Sequence, residues 1–246
     1  MKVKILAFGA HPDDVELSCS GLLAKHKILG DNIAIVDLTK GELGSRGTIK
    51  TRKQEAAIAT KILDIDIREN LGFEDGFFEN NKKNQLKVIE KIRTYQPDIV
   101  LCNATNDRHP DHGKGAQLIV DACFLSGLIK IETTNNGKKQ LPWRPKRVFH
   151  YIQDLYLEPQ FIIDISKVWE LKKASILAYS SQFNASKSKS KEPQTYISGD
   201  TFIQSIEQRA ALLGKRIGVR FGEGFIVNKQ SLGFQDLSSI ILPEIV

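Results

Sequence analysis

Short apolar runs alternate with longer helix-like segments in the first half of the chain, and this alternation most limits the possible folds. The strand-like runs are residues 3–9, 33–38, 65–71 and 99–102. The helix-like segments are residues 15–29, 51–63, 85–95 and a stretch that ends near residue 124. Strands and helices alternating at this spacing are typical of βαβ units with parallel strands. The sequence therefore predicts an α/β fold, a three-layer αβα Rossmann-like architecture with a mostly parallel sheet.

The second half of the chain has a less regular pattern. Residues 148–152 and 161–165 are strand-like, residues 169–179 and 202–213 have helical spacing with Gly214 as a stop signal, and residues 133–139 are a polar turn region. No strong linker or internal repeat is visible. We expect one domain over residues 1–246, with a Rossmann-like core in about residues 1–125 and a remainder, about residues 126–246, that completes the site.

Composition and charge disfavour several classes of protein. No apolar run approaches the roughly 20 residues of a membrane span, and the first nine residues are too short for the apolar part of a signal peptide. We therefore expect a cytoplasmic protein with no membrane partner. Three cysteines without CxxC spacing indicate reduced thiols. The net charge of +6 is not gathered into one stripe with interleaved aromatics, so we expect no nucleic-acid partner.

The first motif reads AHPDD over residues 10–14, directly after the first apolar run. His11 and Asp14 are three residues apart at a strand-to-helix turn, so both side chains can reach one point. An imidazole and a carboxylate are good ligands for a divalent metal, and Asp13 adds a carboxylate that can act as a general base. The alternative is a capped helix start with Asp13 or Asp14 as the N-cap. A dinucleotide site is disfavoured, because the turn lacks GxGxxG.

The second motif reads NDRHPDH over residues 106–112 and follows the strand-like run 99–102. The carboxyl ends of neighbouring parallel strands face one crevice, so this loop can meet the first motif. One of its histidines completes a His/Asp/His set, a pattern that suits catalytic Zn²⁺ and also Fe²⁺. The other histidine is then free to donate a proton or to stabilise an oxyanion. The alternative is a polar surface loop.

Together the two motifs resemble those of the PIG-L/LmbE-like family of zinc-dependent sugar N-deacetylases. The family signatures AHPDD-x-E and HPDH correspond to residues 10–16 and 109–112. Similarity continues over residues 37–48, 51–52 and 55–56. Residues 180–183 and 214–225 resemble the branch of the family that makes bacillithiol, which removes acetate from N-acetylglucosaminyl malate.

This resemblance implies a role for each residue of the two motifs. It implies Zn²⁺ held by His11, Asp14 and His112, with Asp13 as the general base toward the attacking water. His109 would protonate or stabilise the tetrahedral intermediate.

The resemblance also implies residues that bind the substrate. Arg52 is expected to hold it, Arg147 is matched to a further substrate-binding arginine, and Arg46 is expected to flank the mouth of the site together with Arg108. Some members place a tyrosine in the site. Phe202 is aligned with that place in this chain, so either Tyr196 takes the role or the tyrosine is absent.

Two acidic residues are expected to support the metal ligands. Asp111 would orient a ligand histidine, the alternative being a surface position. Glu16 would lie behind the ligands, the alternative being a favourable charge in the first helical turn.

The leading functional hypothesis is metal-assisted hydrolysis of the acetamide of an N-acetylglucosaminyl conjugate, most specifically N-acetylglucosaminyl malate in bacillithiol biosynthesis. One alternative is deacetylation of another N-acetylglucosamine derivative, such as a chitin oligomer. The other is a metal-binding or nucleotide-binding module without catalysis. The expected partner is a small-molecule substrate, and the resemblance implies a homo-oligomer, a trimer or a hexamer.

Overall fold

The computed structural model describes residues 1–183, 192–229, 231–234 and 236. Its strands are β1 (Ile5–Gly9), β2 (Ile33–Thr39), β3 (Ile67–Phe73), β4 (Ile99–Cys102), β5 (Thr134–Asn135), β6 (Lys138–Lys139), β7 (Arg147–Tyr151), β8 (Phe161–Asp164) and β9 (Gly222–Val227). Its α-helices are α1 (Asp14–Ser18), α2 (Ser20–Ile28), α3 (Ile49–Ile62), α4 (Lys82–Tyr95), α5 (Pro110–Leu125), α6 (Trp169–Leu177) and α7 (Asp200–Arg216).

In the part of the chain that the structure describes, seven strands form one mixed sheet in the order β3-β2-β1-β4-β7-β9-β8. The first five of these pair in parallel, and β9 pairs antiparallel with both β7 and β8. The predicted α/β fold with a mostly parallel sheet is confirmed. The carboxyl ends of the parallel strands consequently meet at one edge, where the two motifs lie.

Helices cover both faces of the sheet, which gives the three predicted layers. Along β1, Leu6 and Phe8 face the cluster formed with α4 and α5, whereas Ile5 and Ala7 face the cluster formed with α2, α3, α6 and α7. Successive side chains of a strand point to opposite faces, so a strand covered on both faces is apolar throughout. This double burial explains why β1 and β2 appear in the sequence as continuous apolar runs. In the described ranges, no helix is both long and apolar enough to cross a membrane.

Strand β9 was not predicted as a strand, and Gly214 does not stop α7, which continues to Arg216. Both differences follow from the close packing of α7 against β9. A Cβ atom on Gly214 would lie 2.7 Å from the backbone nitrogen of Phe221, and one on Gly222 would lie 3.0 Å from the backbone nitrogen of Gly214. The glycines are therefore needed for contact between backbones, although isolated glycines weaken a strand pattern in a sequence.

The helix predicted over residues 15–29 is broken at Cys19, whose backbone leaves the helical region (φ −135°, ψ 12°). Buried charges satisfy the groups that the break exposes. The Glu223 carboxylate accepts hydrogen bonds from the backbone nitrogens of Gly21 and Leu22 at 2.8 and 2.7 Å. Lys172 Nζ lies 2.8 Å from Glu223 and donates to the carbonyl oxygens of residues 16 and 17 at 3.1 Å each. Strand β9 and helix α6 thereby hold the short helix that carries the first motif.

We expect Glu223→Gln to lower the free energy of unfolding by about 3–5 kcal/mol, because it leaves the buried Lys172 ammonium without its counter-charge. Urea denaturation would measure the change. The control is Glu207→Gln, which removes a partly exposed pair with Lys173 at 3.5 Å and should cost less than about 1 kcal/mol. Equal effects of the two substitutions would contradict the structural role of the buried pair.

Candidate active site

A cleft of about 220 Å³ opens at the carboxyl edge of the sheet. Its walls come from the loops after β1, β2, β3, β4 and β7, and from α7. Both sequence motifs line this cleft. The predicted meeting of the two motifs therefore takes place at the edge where parallel strands end.

Three histidines form the centre of the cleft. The ring centroids of His11 and His109 are 4.5 Å apart, those of His109 and His112 are 5.3 Å apart, and those of His11 and His112 are 5.6 Å apart. One ring nitrogen of each can lie within 4.8 Å of the others. His109 is the N-cap of α5, where its Nδ1 accepts a hydrogen bond from the backbone nitrogen of Asp111 at 3.2 Å. The second motif thus brings both of its histidines to His11.

Asp14 lies between two of these histidines. Its Oδ1 is 3.1 Å from His112 Nε2, and its Oδ2 is 3.6 Å from His11 Nδ1. The side-chain amides of Asn103 and Gln153 donate to the same carboxylate at 3.0 and 3.1 Å. Burial alone would raise the pKa of Asp14, but the two imidazoles hold it well below its usual range. Sequence reasoning missed both amides, although each follows a buried strand at this edge.

Asp13 adds a second buried carboxylate. Its φ of 118° places it in the left-handed region, which Asp adopts more readily than most residues. Arg52 Nη2 donates to its Oδ2 at 3.0 Å and also to the carbonyl oxygen of Pro12. Burial raises the pKa of Asp13 to about 7, although the Arg52 guanidinium opposes the rise. Arg52 therefore lines the cleft and fixes the orientation of Asp13.

Two further carboxylates surround His11. Its Nε2 lies 3.0 Å from Asp75 Oδ1 and 3.5 Å from Asp111 Oδ2. Asp75 was not predicted. Asp75 lies in the loop that follows β3, and its Oδ2 accepts a hydrogen bond from the backbone nitrogen of Leu43 at 2.9 Å. Its position directly after the third parallel strand could have indicated this role, because side chains at that point reach the same edge of the sheet.

Asp107 is the carboxylate that orients His112. Its Oδ2 lies 2.5 Å from His112 Nδ1, and its Oδ1 accepts a hydrogen bond from the backbone nitrogen of Leu155 at 2.7 Å. Burial alone would lower the pKa of His112, but the carboxylates of Asp14 and Asp107 outweigh that effect, and the resulting pKa is about 9. Sequence reasoning had considered only Asp111 for the orienting role. The first aspartate of the NDRHPDH motif was therefore missed.

Two predicted substrate-binding arginines lie outside the cleft, which corrects those expectations. Arg147 begins β7 and is in register with Ile99, so it lies at the amino end of the parallel strands, opposite the site. Arg46 is buried, and its guanidinium donates to the carbonyl oxygens of Ser181, Glu192 and Pro193 at 2.9–3.1 Å. Its donors hold loop backbones together and do not face a ligand.

The residues around Tyr196 form one side of the mouth. Tyr196 is 61 % exposed, and its hydroxyl donates to Asp154 Oδ1 at 3.2 Å. The Arg108 guanidinium lies 4.6 Å from the centre of the Tyr196 ring and pairs with Asp154 at 3.1 Å. Phe202 lines the cleft and meets the tyrosine ring edge-on, with 5.6 Å between centroids. The tyrosine thus lies at the rim and the phenylalanine lies inside.

Glu16 belongs to a buried network below the site. Its Oε1 lies 2.5 Å from Arg68 Nη1 and accepts a hydrogen bond from the Tyr179 hydroxyl at 3.1 Å. Arg68 also forms a two-point contact with Asp37, at 2.9 Å for each hydrogen bond. Glu16 therefore supports the site through the packing of the sheet and helices, and its side-chain partners are not histidines of the cluster.

Helix α7 contributes an arginine that sequence reasoning missed. Arg209 lines the cleft, and its guanidinium donates to the carbonyl oxygens of Gln153 and of Leu17, the latter at 3.3 Å. The sequence does contain a signal for this role, because Arg209 is a charged residue three positions after Ile206, on the apolar face of the helix. Because Gln153 holds Asp14, Arg209 links α7 to the carboxylate at the centre of the site.

The donors in this cluster fit a divalent metal ion. Imidazole nitrogens and a carboxylate are the ligands that Zn²⁺ and Fe²⁺ accept. Asp14 lies within 3.6 Å of both His11 and His112, and the buried carboxylates of Asp13 and Asp75 supply the negative charge that a buried dication requires.

The fold is Rossmann-like. A cluster of histidines and aspartates, of the kind that binds metal ions in proteins, lies at the carboxyl edge of the sheet. The family described as PIG-L: GlcNAc-PI de-N-acetylase matches residues 6–123. The uncharacterized deacetylase YaiS of Escherichia coli is 31 % identical over 159 residues, which cover 62 % of this chain and 83 % of YaiS. The chain belongs to the PIG-L family of deacetylases, as the two motifs indicated.

Other relatives agree with this membership. Diacetylchitobiose deacetylase of Thermococcus kodakarensis is 25 % identical over 232 residues, 90 % of this chain and 81 % of that protein. The probable N-acetyl-α-D-glucosaminyl L-malate deacetylase 2 of Bacillus subtilis is 25 % identical over 199 residues, 74 % of this chain and 84 % of that protein. The crystal structure of the conserved protein TT1542 from Thermus thermophilus has a TM-score of 0.83 and 33 % identity, covering 95 % of this chain and 98 % of that one.

Proposed function

We propose that the chain is a zinc-dependent N-deacetylase that releases acetate from an N-acetylglucosaminyl conjugate. One observation carries the proposal. The cluster of His11, Asp14 and His112 has two additional polar side chains beside it, the Asp13 carboxylate and the His109 imidazole. A site that only binds a metal requires its ligands alone. A hydrolase also requires groups that accept and donate protons.

The proposed ligands are His11, Asp14 and His112. When bound, Zn²⁺ supplies Lewis acidity, which makes water a better nucleophile near neutral pH and polarises an amide carbonyl. Asn103 and Gln153 hold the Asp14 carboxylate, so its position is fixed by the protein before any ligand binds.

The residues of this chain then carry out the proton transfers. Asp13, held by Arg52, accepts a proton from the attacking water. His109 stabilises the tetrahedral intermediate. Because its Nδ1 accepts a hydrogen bond from the backbone of Asp111, the neutral ring keeps its proton on Nε2, which can donate a hydrogen bond to the oxygen of that intermediate. The proton that Asp13 accepts from water passes to the leaving amine. The products are acetate and a protonated glucosamine amine.

The finer proposal is that the conjugate carries carboxylates, as N-acetylglucosaminyl malate in bacillithiol biosynthesis does. Arg108 supports it, since its partly exposed guanidinium lies at the mouth, and guanidinium groups bind carboxylates at two points. The Bacillus subtilis relative is named for that substrate. A second candidate is an N-acetylated chitin oligomer. It is supported by the Thermococcus relative, which matches a larger share of this chain.

The test is release of acetate from a panel of N-acetylglucosaminyl conjugates, measured with and without a metal chelator. The panel contains N-acetylglucosaminyl malate, its uncharged methyl glycoside counterpart and N,N′-diacetylchitobiose. We expect chelator-sensitive release, with the highest kcat/KM for the malate conjugate. Preference for diacetylchitobiose would replace the malate proposal by the second candidate. No chelator-sensitive release from any member would overturn the deacetylase proposal.

Asp107 offers a further prediction for the same site. We expect Asp107→Asn to weaken zinc binding by about 10–100-fold, because an amide cannot accept hydrogen bonds from both His112 Nδ1 and the Leu155 backbone as the carboxylate does. Competition with a fluorescent zinc chelator would measure the affinity. Asp121→Asn is the control, since that aspartate contacts Asn80 and Gln117 on the outside of α5. Unchanged zinc affinity in Asp107→Asn would contradict the orienting role.

A further inference from the structure

The cleft has one apolar side, made by Leu17, Ile197, Phe202 and Ile206, which we call the apolar wall. Phe202 and Ile206 are one turn apart on α7 and are only 6 % and 4 % exposed. Leu17 and Ile197 pack against the same buried cluster. The wall is therefore continuous with the hydrophobic core, so its shape is fixed by packing and changes little when a ligand binds.

The apolar wall adjoins the carboxylates that act in the proposed reaction. Leu17 lies one helical turn after Asp13 and Asp14, and its backbone nitrogen donates to the carbonyl oxygen of Asp13 at 2.9 Å. Residues three and four apart lie on the same face of a helix. When an amide carbonyl carbon reacts beside Asp13, the acyl chain attached to that carbon is thus within reach of Leu17 and the rest of the apolar wall.

Another side of the cleft is polar. It contains backbone at Gly41 and Gly44 and the side chains of Arg52 and Asp75. An N-acylated sugar has hydroxyl groups around its ring and one fully apolar group, the chain attached to the amide carbonyl. Burying that chain against apolar side chains is favourable, whereas burying sugar hydroxyls there without partners is not. The sugar therefore suits the polar side, and the acyl chain suits the apolar wall.

A small cavity of about 10 Å³ lies behind the wall. Leu17, Ser18, Ile206 and Arg209 border both this cavity and the cleft. The rest of the cavity is lined by apolar residues, among them Ile152 and Leu213, and by the Lys172–Glu223 pair. Among these four residues, Ile206 contributes the apolar side chain of α7 that stands between the two spaces. A longer acyl chain would have to occupy the volume that this side chain fills.

We infer that the apolar wall is an acyl-binding pocket in which Ile206 selects acetyl over longer acyl groups. The inference rests on the proposed function. Hydrolysis breaks the amide C–N bond, the acyl carbon gains the oxygen of water and leaves as a carboxylate, and the amine leaves with the proton. The size of the pocket thereby sets which carboxylate is released, while the polar side sets which sugar is accepted.

The test measures binding and hydrolysis separately with the methyl glycosides of N-acetyl-, N-propionyl- and N-butyrylglucosamine. Ligand-observed NMR titration of the zinc-loaded full chain gives each Kd, and release of the carboxylate gives each kcat/KM. One extra methylene in an apolar pocket changes discrimination by roughly 10–200-fold. We expect wild-type protein to favour acetyl over butyryl by at least about tenfold, and Ile206→Ala to reduce that ratio by about tenfold or more.

Two further variants complete the experiment. Leu212→Ala removes an exposed leucine from the same helix and should keep the wild-type ratio. Ile206→Val removes one methyl group and should shift the acetyl/propionyl ratio in the same direction if Ile206→Ala does not fold. An unchanged ratio of Kd values in folded Ile206 variants would overturn the acyl pocket. Discrimination in binding without any carboxylate release would support the pocket and overturn the proposed deacetylase function.

Discussion

Asp13→Asn is expected to lower kcat for acetate release by about 10²–10⁴-fold while leaving zinc bound. Asparagine has the same shape as aspartate and also tolerates a positive φ, so the φ of 118° at this position can be kept. Its amide oxygen can still accept the hydrogen bond that Arg52 Nη2 donates. The substitution therefore removes the ability to take a proton from water and little else.

The control for this prediction is Asp64→Asn. Asp64 also has a positive φ, 53°, and its side chain is exposed, so the same chemical change is made at an equally unusual backbone conformation far from the cleft. Steady-state kinetics and elemental analysis would be run on both proteins. Wild-type kcat in Asp13→Asn would remove Asp13 as the base. Loss of zinc from this variant would show that the carboxylate has a structural part in metal binding.

His112→Ala is expected to abolish stoichiometric zinc binding. The substitution removes one of three proposed ligands, and it leaves the carboxylates of Asp14 and Asp107 without the ring that lies between them. Two protein ligands are too few for a catalytic zinc site, which normally has three. Zinc content after gel filtration in chelator-treated buffer would fall from about one ion per chain to a small fraction.

His109→Ala distinguishes the ligand set from the alternative that the geometry also allows. One ring nitrogen each of His11, His109 and His112 lies within 4.8 Å of the others, so the three histidines are a possible ligand set. We expect His109→Ala to keep zinc and lose most activity, and His26→Ala, a partly buried surface histidine paired with Asp31, to keep both. Zinc loss in His109→Ala with zinc retained in His112→Ala would reverse the assignment.

The sequence was sufficient to predict the fold and the centre of the site because both depend on local patterns. The apolar runs at β1, β2 and β4 are continuous because helices bury them on both faces. The two motifs follow β1 and β4, which are adjacent and parallel in the sheet. The rule for the carboxyl ends of parallel strands was therefore enough to predict that the second motif meets His11. The choice of His112 as the ligand rests on the family resemblance.

The remaining site residues depend on contacts between distant parts of the chain. Asp75 and Gln153 have no motif around them, and each reaches the cluster only because its strand ends at the same edge. Arg147 shows the opposite error. Its place beside a strand could be predicted, but the end of the strand at which it lies could not, because that depends on where β7 begins relative to β4. Sequence spacing alone does not give that register.

Strand β9 and the break at Cys19 escaped prediction for a common reason. The glycines of β9 reduce its strand signal, and the continuous helical pattern of residues 15–29 hides the break. Each is stabilised by the other region, since the Glu223 carboxylate on β9 accepts hydrogen bonds from the first turn of α2. Local propensity describes neither feature, because tertiary contacts about 200 residues apart decide both.

The tie between Glu223 and the first motif has a consequence for how the protein is made. Residues 10–14 are synthesised before Lys172 and Arg209, which anchor the helix that begins with Asp14, and before Glu223, which anchors the first turn of α2. Strand β8 has β9 as its sheet partner, so the sheet too is completed only after residue 227 has emerged. The nascent chain therefore contains the proposed metal ligands His11 and Asp14 before these anchors have been synthesised. The arrangement of the proposed site would then be acquired only after residue 223 has been synthesised, as one late event.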